Sequence, residues 1–269
     1  MRKRTAIWIG VGVLGVTGLT LLLVKLFSLR RKENLDKFLQ NLDLYGRLLL
    51  SGKTKLTPEL LSKFEYYAAL YKVPVPVALA MAEVESGFDI RAYRSECRTE
   101  NGKLICHTYD KLVKEYIYKD PQLRQFFEAS PDKNDPTKWG SYGFYQILPQ
   151  FSLSYGGNLA LKPGEPNSVL FDIDRQLAIG TDRLSRLWHK YGNVADVRAK
   201  WARNMTLEQT INIIEQHGDR YADAKRVIVK SIPRMLAAID KYEKKYGAVK
   251  HFPNKDLENK FKKLYEQLS

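Results

Sequence analysis

The chain has 269 residues, more than one small domain needs and fewer than two average domains, and its 44% hydrophobic and 12% aromatic content against 28% charged can fill a sizeable core. Collagen-like, coiled-coil-only and disordered chains are excluded, because 17 Gly and 11 Pro follow no period and no low-complexity bias. The net charge is +14, but seven of the 44 basic residues fall in the first 32 positions, which hold no acid, leaving 37 basic against 30 acidic residues, or +7, for the rest. A moderate positive charge fits an acidic polymer or surface, with cell wall, anionic lipid and nucleic acid all open.

Ala6 to Val24 is a run of nineteen uncharged, mostly apolar residues, close to the roughly 20 needed to span a bilayer. A cleaved signal peptide competes, with Arg2, Lys3 and Arg4 as its basic start. Against it, the run exceeds the usual length of about 7–15 residues and is followed by Lys25 and Arg30-Arg31-Lys32 rather than by small residues. The expectation is an uncleaved membrane anchor over residues 1–32 that crosses the membrane through residues 6–24. Basic residues flank both ends, so they do not fix its orientation. Residues 33–56 read as a stalk or packing helix, with Leu35, Phe38, Leu39, Leu42, Tyr45 and Leu49 at helical spacing before Ser51-Gly52-Lys53 breaks the pattern.

Thr57-Pro58-Glu59 predicts a helix start, with Leu60, Leu61, Phe64, Ala68 and Tyr71 as its apolar stripe. Pro74 and Pro76 open another helix, in which Val77, Ala80, Met81 and Val84 share a face that runs on to Glu85 before Gly87 offers a C-cap. A carboxylate that continues an apolar stripe at the negative end of a helix is disfavoured in its ionised form by burial and by the dipole. Glu85 is therefore the candidate general acid, since glycosidic cleavage needs a proton held near neutral pH. The competing reading is a helix-end Glu paired with a nearby Arg. Glu83, on the other side of the helix, is expected to be solvated, and Asp89 to be a loop residue.

Cys97 and Cys106 bracket Asn101-Gly102, the strongest two-residue hairpin signature. With those two residues as the turn, Glu100 faces Lys103, Thr99 faces Leu104, Arg98 faces Ile105, and Cys97 faces Cys106 at a close, non-hydrogen-bonded pair suited to a disulfide. A disulfide places the chain from Glu33 onward in an oxidising compartment outside the cytoplasm. Two reduced thiols in a surface loop are the alternative, and the pair lacks the further Cys or His that a zinc site requires.

Two ordered strings carry a resemblance. Ala80-Met-Ala-Glu-Val-Glu-Ser-Gly-Phe-Asp89 is similar to the helix-end motif of the soluble lytic transglycosylase family, in which the catalytic glutamate is followed by serine, and Glu85 matches that glutamate. Gly140-Ser-Tyr-Gly-Phe-Tyr-Gln-Ile-Leu-Pro149 resembles the family's second motif, with Gly140, Gly143, Gln146 and Pro149 in register. The resemblance covers about residues 57–250 and continues through Asp172-Ile-Asp174 as a cap, a helix with Leu177, Leu184, Leu187 and Trp188, closure at Tyr191-Gly192, and a Tyr221 to Tyr246 stretch that Pro233 kinks or divides. It implies an all-α, lysozyme-like domain that cleaves peptidoglycan glycan strands. Glu85 would protonate the glycosidic oxygen between N-acetylmuramic acid and N-acetylglucosamine and then act as base while the sugar's own 6-hydroxyl closes a 1,6-anhydro ring. Ser86 would neighbour Glu85 by a hydrogen bond, Gln146 would contact a sugar amide, and Tyr142 and Tyr145 would be sugar platforms or core residues. Tyr155 and Trp201 are weaker platform candidates.

The departures are as informative. About 44 residues separate Ser95 from Gly140 where the family has a few, so residues 96–139, with the hairpin and a polar helical stretch from Tyr109 to Ser130, form an insertion that would serve as a lid or an extra substrate-binding wall. The family's Ala-Tyr-Asn-Ala-Gly motif is missing, and Lys200-Trp-Ala-Arg-Asn204 stands near its place. His107, His189, His217 and His251 show no metal spacing, and neither a glycine-rich phosphate loop nor a Ser-His-Asp order occurs, so no metal, no cofactor and no nucleic-acid partner is expected. The residues from Lys241 to Ser269, ending in a basic 251–269 helix, read as exposed and partly amphipathic. Alternatives are a muramidase that uses water, or a wall-binding component of an envelope-spanning machine or a phage virion.

Overall fold

A computed structural model describes residues 56–95 and 97–269; the expected anchor over 1–32 and nearly all of the stalk at 33–56 lie outside the described residues. Among the described residues no helix is long and apolar enough to cross a membrane. What is described is mostly helical, with four short strands, of which β1 (Tyr93–Arg94) pairs antiparallel with β4 (Ser141–Tyr142) just before the one-turn helix α5 (Pro149–Ser152).

The first helix, α1 (Pro58–Leu70), starts where Thr57 Oγ1 accepts the Leu60 N–H at 3.1 Å, with proline in the first turn. Helix α2 (Val75–Ser86) is apolar on nearly every face and correspondingly buried from Pro76 to Ala82 and at Val84. Gly87 ends it at φ +64°, a left-handed conformation that glycine adopts without steric penalty. Asp172 caps α6 (Ile173–Tyr191) through the Arg175 N–H at 2.9 Å, and left-handed Gly192 closes it. Phe64 of α1 gathers Phe88, Phe144 and Tyr145 at centroid distances of 5.6, 5.6 and 6.0 Å, so the two motif strings meet in one core.

The hairpin forms in the expected register: β2 (Arg98–Glu100) and β3 (Lys103–Ile105) pair Arg98 with Ile105, Thr99 with Leu104 and Glu100 with Lys103. Asn101 and Gly102 both have positive φ, as a twisted two-residue turn requires, and Cys97 and Cys106 are joined by a disulfide. The rest of the insertion folds as α3 (His107–Leu112), a π-helical turn and α4 (Pro121–Ala129), with Phe126 and Phe127 packed on the buried ring of Trp139.

Helix α7 (Val194–Arg203) draws its first N–H partners from a distant strand of chain, since Val194 and Ala195 donate to the carbonyls of Lys250 and His251, both at 2.9 Å. The Tyr221 to Tyr246 stretch is divided as Pro233 demands: α9 (Ala222–Arg226) passes through a π-helical turn, Val227–Ser231, into α10 (Ile232–Tyr246), whose first turn holds the proline. The last helix, α11 (Lys255–Leu268), is amphipathic and mostly exposed as expected, with its apolar stripe covered. Its Phe261 is buried, and Phe252, Leu257, Leu264 and Leu268 pack with it on the core that includes α8 (Leu207–His217), because an apolar stripe this regular is more stable covered than wet.

Candidate active site

Helix α2 delivers Glu85 to the wall of an open cavity of about 680 Å³. The helix end is held on its other side by α10. Glu83 accepts hydrogen bonds from the Tyr242 hydroxyl at 2.6 Å and from Lys241, so it is paired rather than solvated as the sequence suggested. Arg234 donates to the Val84 carbonyl at 3.2 Å, giving a helix-end oxygen the partner it would otherwise lack.

Glu85 does not rest in an apolar surround. Arg198 of α7 donates to its Oε1 and approaches Met81 Sδ at 3.3 Å, with the two side chains 8% and 19% exposed for Arg198 and Glu85. Arg198 Nε is buried with no partner among the described residues. The Arg-paired arrangement is thus the one the structure adopts. The signal was present in the sequence as an arginine on a helix face shared with Val194, Val197 and Trp201, all buried.

The second motif forms a tight loop. Tyr142 and Ile147 exchange backbone hydrogen bonds of 3.0 and 2.9 Å, with Gly143 at φ +65° and Gln146 at φ +49° between them. A side chain at Gly143 would meet Gln176 at 2.5 Å, and one at Gly140 would meet the Arg94 carbonyl at 2.2 Å, so both glycines are required by close approach. The Ser86 hydroxyl lies 2.9 Å from the Phe144 carbonyl and 3.1 Å from the Ala82 carbonyl; it straps the loop to α2 and does not line the cavity. Gln146 lines the cavity, but its amide nitrogen is committed to the carbonyls of Ala92 at 3.2 Å and Gly143 at 3.0 Å, leaving its oxygen as the polar group to offer.

Tyr142 and Tyr145 are corrected as sugar platforms, because both are core residues. Tyr142 donates to the Lys138 carbonyl at 2.5 Å and is 2% exposed; Tyr145 is fully buried, 3.3 Å from Thr181 Oγ1, with its ring filling the space that Gly180 leaves open. Burial raises both phenols far above their ordinary range. The weaker pair, Tyr155 and Trp201, lines the cavity together with Phe151. Each of these rings is covered by a cation: the Arg183 guanidinium lies 4.2 Å from the Trp201 centroid and 5.0 Å from that of Phe151, and Arg186 lies 4.6 Å from Tyr155. Burial lowers the Arg183 pKa, with Tyr155 and Glu85 opposing.

Among the described residues none that lines the cavity falls in 97–139, so this part of the insertion supplies neither lid nor wall to the cleft; its apolar side chains build their own small core around Trp139. Among the described residues nine lining side chains are basic, and Glu85 is the only acidic one. Sequence reasoning missed this concentration because it comes from residues 94, 183–203 and 226–234, which are far apart in the chain. Away from the cleft, Asp240, Glu243 and His251 bring ligand-type atoms within 4.8 Å of one another. Glu243 there accepts from Val249 N at 2.7 Å and lies 3.0 Å from His251 Nε2, which ties down the segment that caps α7. Comparisons with family models, curated proteins and solved structures give no match to this chain.

Proposed function

We propose that the chain is a peptidoglycan lytic transglycosylase with a lysozyme-like domain, tethered through residues 6–24 and facing an extracytoplasmic compartment. The observation that carries the reading is a cleft whose lining, among the described residues, contains a single carboxylate, Glu85, at the end of a buried helix and beside the second motif's loop. Ordinary glycosidases need a second carboxyl group, as nucleophile or to activate water. A reaction in which the substrate supplies its own nucleophile needs one.

In that reaction Glu85, a carboxylate paired with Arg198, takes up a proton from solvent as the glycan is seated. It gives that proton to the oxygen between N-acetylmuramic acid and N-acetylglucosamine, and the C–O bond to the anomeric carbon breaks. The N-acetyl carbonyl of the same sugar assists at that carbon. Glu85, now a carboxylate, takes the 6-hydroxyl proton as that oxygen closes the 1,6-anhydro ring, so no water is consumed. Arg198 must leave the carboxyl oxygen that faces the glycosidic oxygen when the glycan is seated. The disulfide supports the extracytoplasmic placement.

The Arg198–Glu85 ion pair favours a second reading, a wall-binding component of an envelope machine or virion that holds the glycan without turning it over. Incubating the full chain and its Glu85→Gln variant with dye-labelled peptidoglycan separates the two. Release of dye by the unaltered chain and none by Glu85→Gln, with both bound to the wall, supports the enzyme; binding without release by either supports the second reading.

A further inference from the structure

Of the nine basic side chains in the cleft, three have carboxylate partners: Arg198 with Glu85, Arg203 with Asp223 at 2.8 Å and Arg186 with Asp182 at 3.4 Å. The other six, Arg94, Arg183, Lys200, Arg226, Lys230 and Arg234, have no carboxylate partner among the described residues. Six uncompensated charges on a concave surface repel one another, and the concavity concentrates their field on whatever enters. Arg183 adds a partly buried guanidinium, 4.2 Å from the Trp201 centroid and 5.0 Å from that of Phe151, with no hydrogen-bond acceptor among the described residues. Planar guanidinium donors match a carboxylate in paired fashion. Arg226, Lys230 and Arg234 form a second bank along the wall made by α9, the π-helical turn and α10, and all three are exposed.

From this arrangement we propose that the cleft selects its glycan by charge: it binds a strand bearing carboxylates, with Arg183 and the Arg226–Lys230–Arg234 bank as specificity-determining residues, and discriminates against neutral or carboxyl-blocked glycan. The inference rests on the glycan reading of the site. It goes further by naming the chemical feature recognised and the residues that recognise it. Glu85 pairs with Arg198, so the lining contributes no free carboxylate to oppose an anionic ligand.

The test measures binding of the full chain to four insoluble or immobilised probes at two salt concentrations: peptidoglycan, the same wall with its carboxyl groups amidated, the same wall stripped of phosphodiesters, and a single-stranded oligonucleotide. Amidation is expected to weaken binding about tenfold or more, and phosphodiester removal to leave it unchanged. The double variant Arg226→Gln/Lys230→Gln, at exposed positions where folding is not at stake, is expected to lose about tenfold on untreated wall and nothing on amidated wall. Equal binding to untreated and amidated wall overturns the proposal, and if dye is still released the transglycosylase reading stands without it. Loss of binding on phosphodiester removal, or tighter binding of the oligonucleotide at equal salt, also overturns it. Carboxylate-dependent binding with no release by the unaltered chain supports charge selection while removing the enzymatic reading.

Discussion

Truncating Glu85 to alanine strands the Arg198 guanidinium, whose side chain is 8% exposed and whose Nε is already unpartnered. Breaking one side of a buried ion pair destabilises by about 3–5 kcal/mol when the remaining charge is sealed from water. Here Glu85 is 19% exposed on an open cleft, so water reaches the vacated position and the loss falls to about 2–3 kcal/mol. The reverse truncation is milder. In Arg198→Met an unbranched side chain keeps the packing of the aliphatic stem and the stranded carboxylate faces solvent, so the loss is about 1 kcal/mol. Because the two groups act on one another, the double variant should be less destabilised than the sum of the singles by about 1–2 kcal/mol. Urea denaturation followed by tryptophan fluorescence measures all three against the unaltered chain. Effects that add to within about 0.5 kcal/mol, or a larger loss for Arg198→Met than for Glu85→Ala, would refute the pairing argument.

Three further outcomes follow from the packing and the charges. Gly180→Ala should destabilise by about 2 kcal/mol, against the roughly 1 kcal/mol gain expected for this change in an open helix, because the new Cβ would stand 2.0 Å from Tyr145 Cδ2; a melting temperature at or above the original contradicts the close approach. Replacing Cys97 and Cys106 by serine should raise amide exchange in Arg98–Ile105 while shifting the global melting midpoint little, since a two-stranded hairpin alone is marginal and this one carries little of the core; coupled loss of the whole domain contradicts it. The hydrogen bonds from Arg175 at 2.7 and 2.8 Å lower the Glu165 carboxyl to about 2. A depressed carboxyl adds stability that is complete above its ordinary pKa of 4.5 and is lost as pH falls toward about 2, so Arg175→Gln should flatten the melting temperature's fall across that window; an unchanged acid limb contradicts it.

Local chemistry was readable from the chain: Thr57, Gly87, Asp172 and Gly192 each cap or end a helix as their residue types suggest, and Asn101-Gly102 sets the hairpin register. These outcomes depend on a few neighbouring residues, which a sequence displays. Which aromatics face the cleft was not readable. Tyr145 turns inward because Gly180, 35 positions on, leaves room for its ring, whereas Trp201, itself largely buried, still lines the cleft beneath Arg183. Glu85's partner was equally distant, since Arg198 lies 113 residues away and only its place on an apolar helix face marked it. The last helix is exposed and amphipathic as its sequence suggests, but that α8 covers its stripe was not readable, because an apolar stripe looks the same whatever packs on it.

The most direct test of the central claim is the mass of the fragments that the full chain releases from purified peptidoglycan. Muropeptides one water lighter than the hydrolytic product, from the unaltered chain and absent with Glu85→Gln, are the predicted result. Fragments carrying ordinary reducing ends would contradict it, because a nucleophile other than the sugar's own 6-hydroxyl would then be at work in a cleft with one carboxylate.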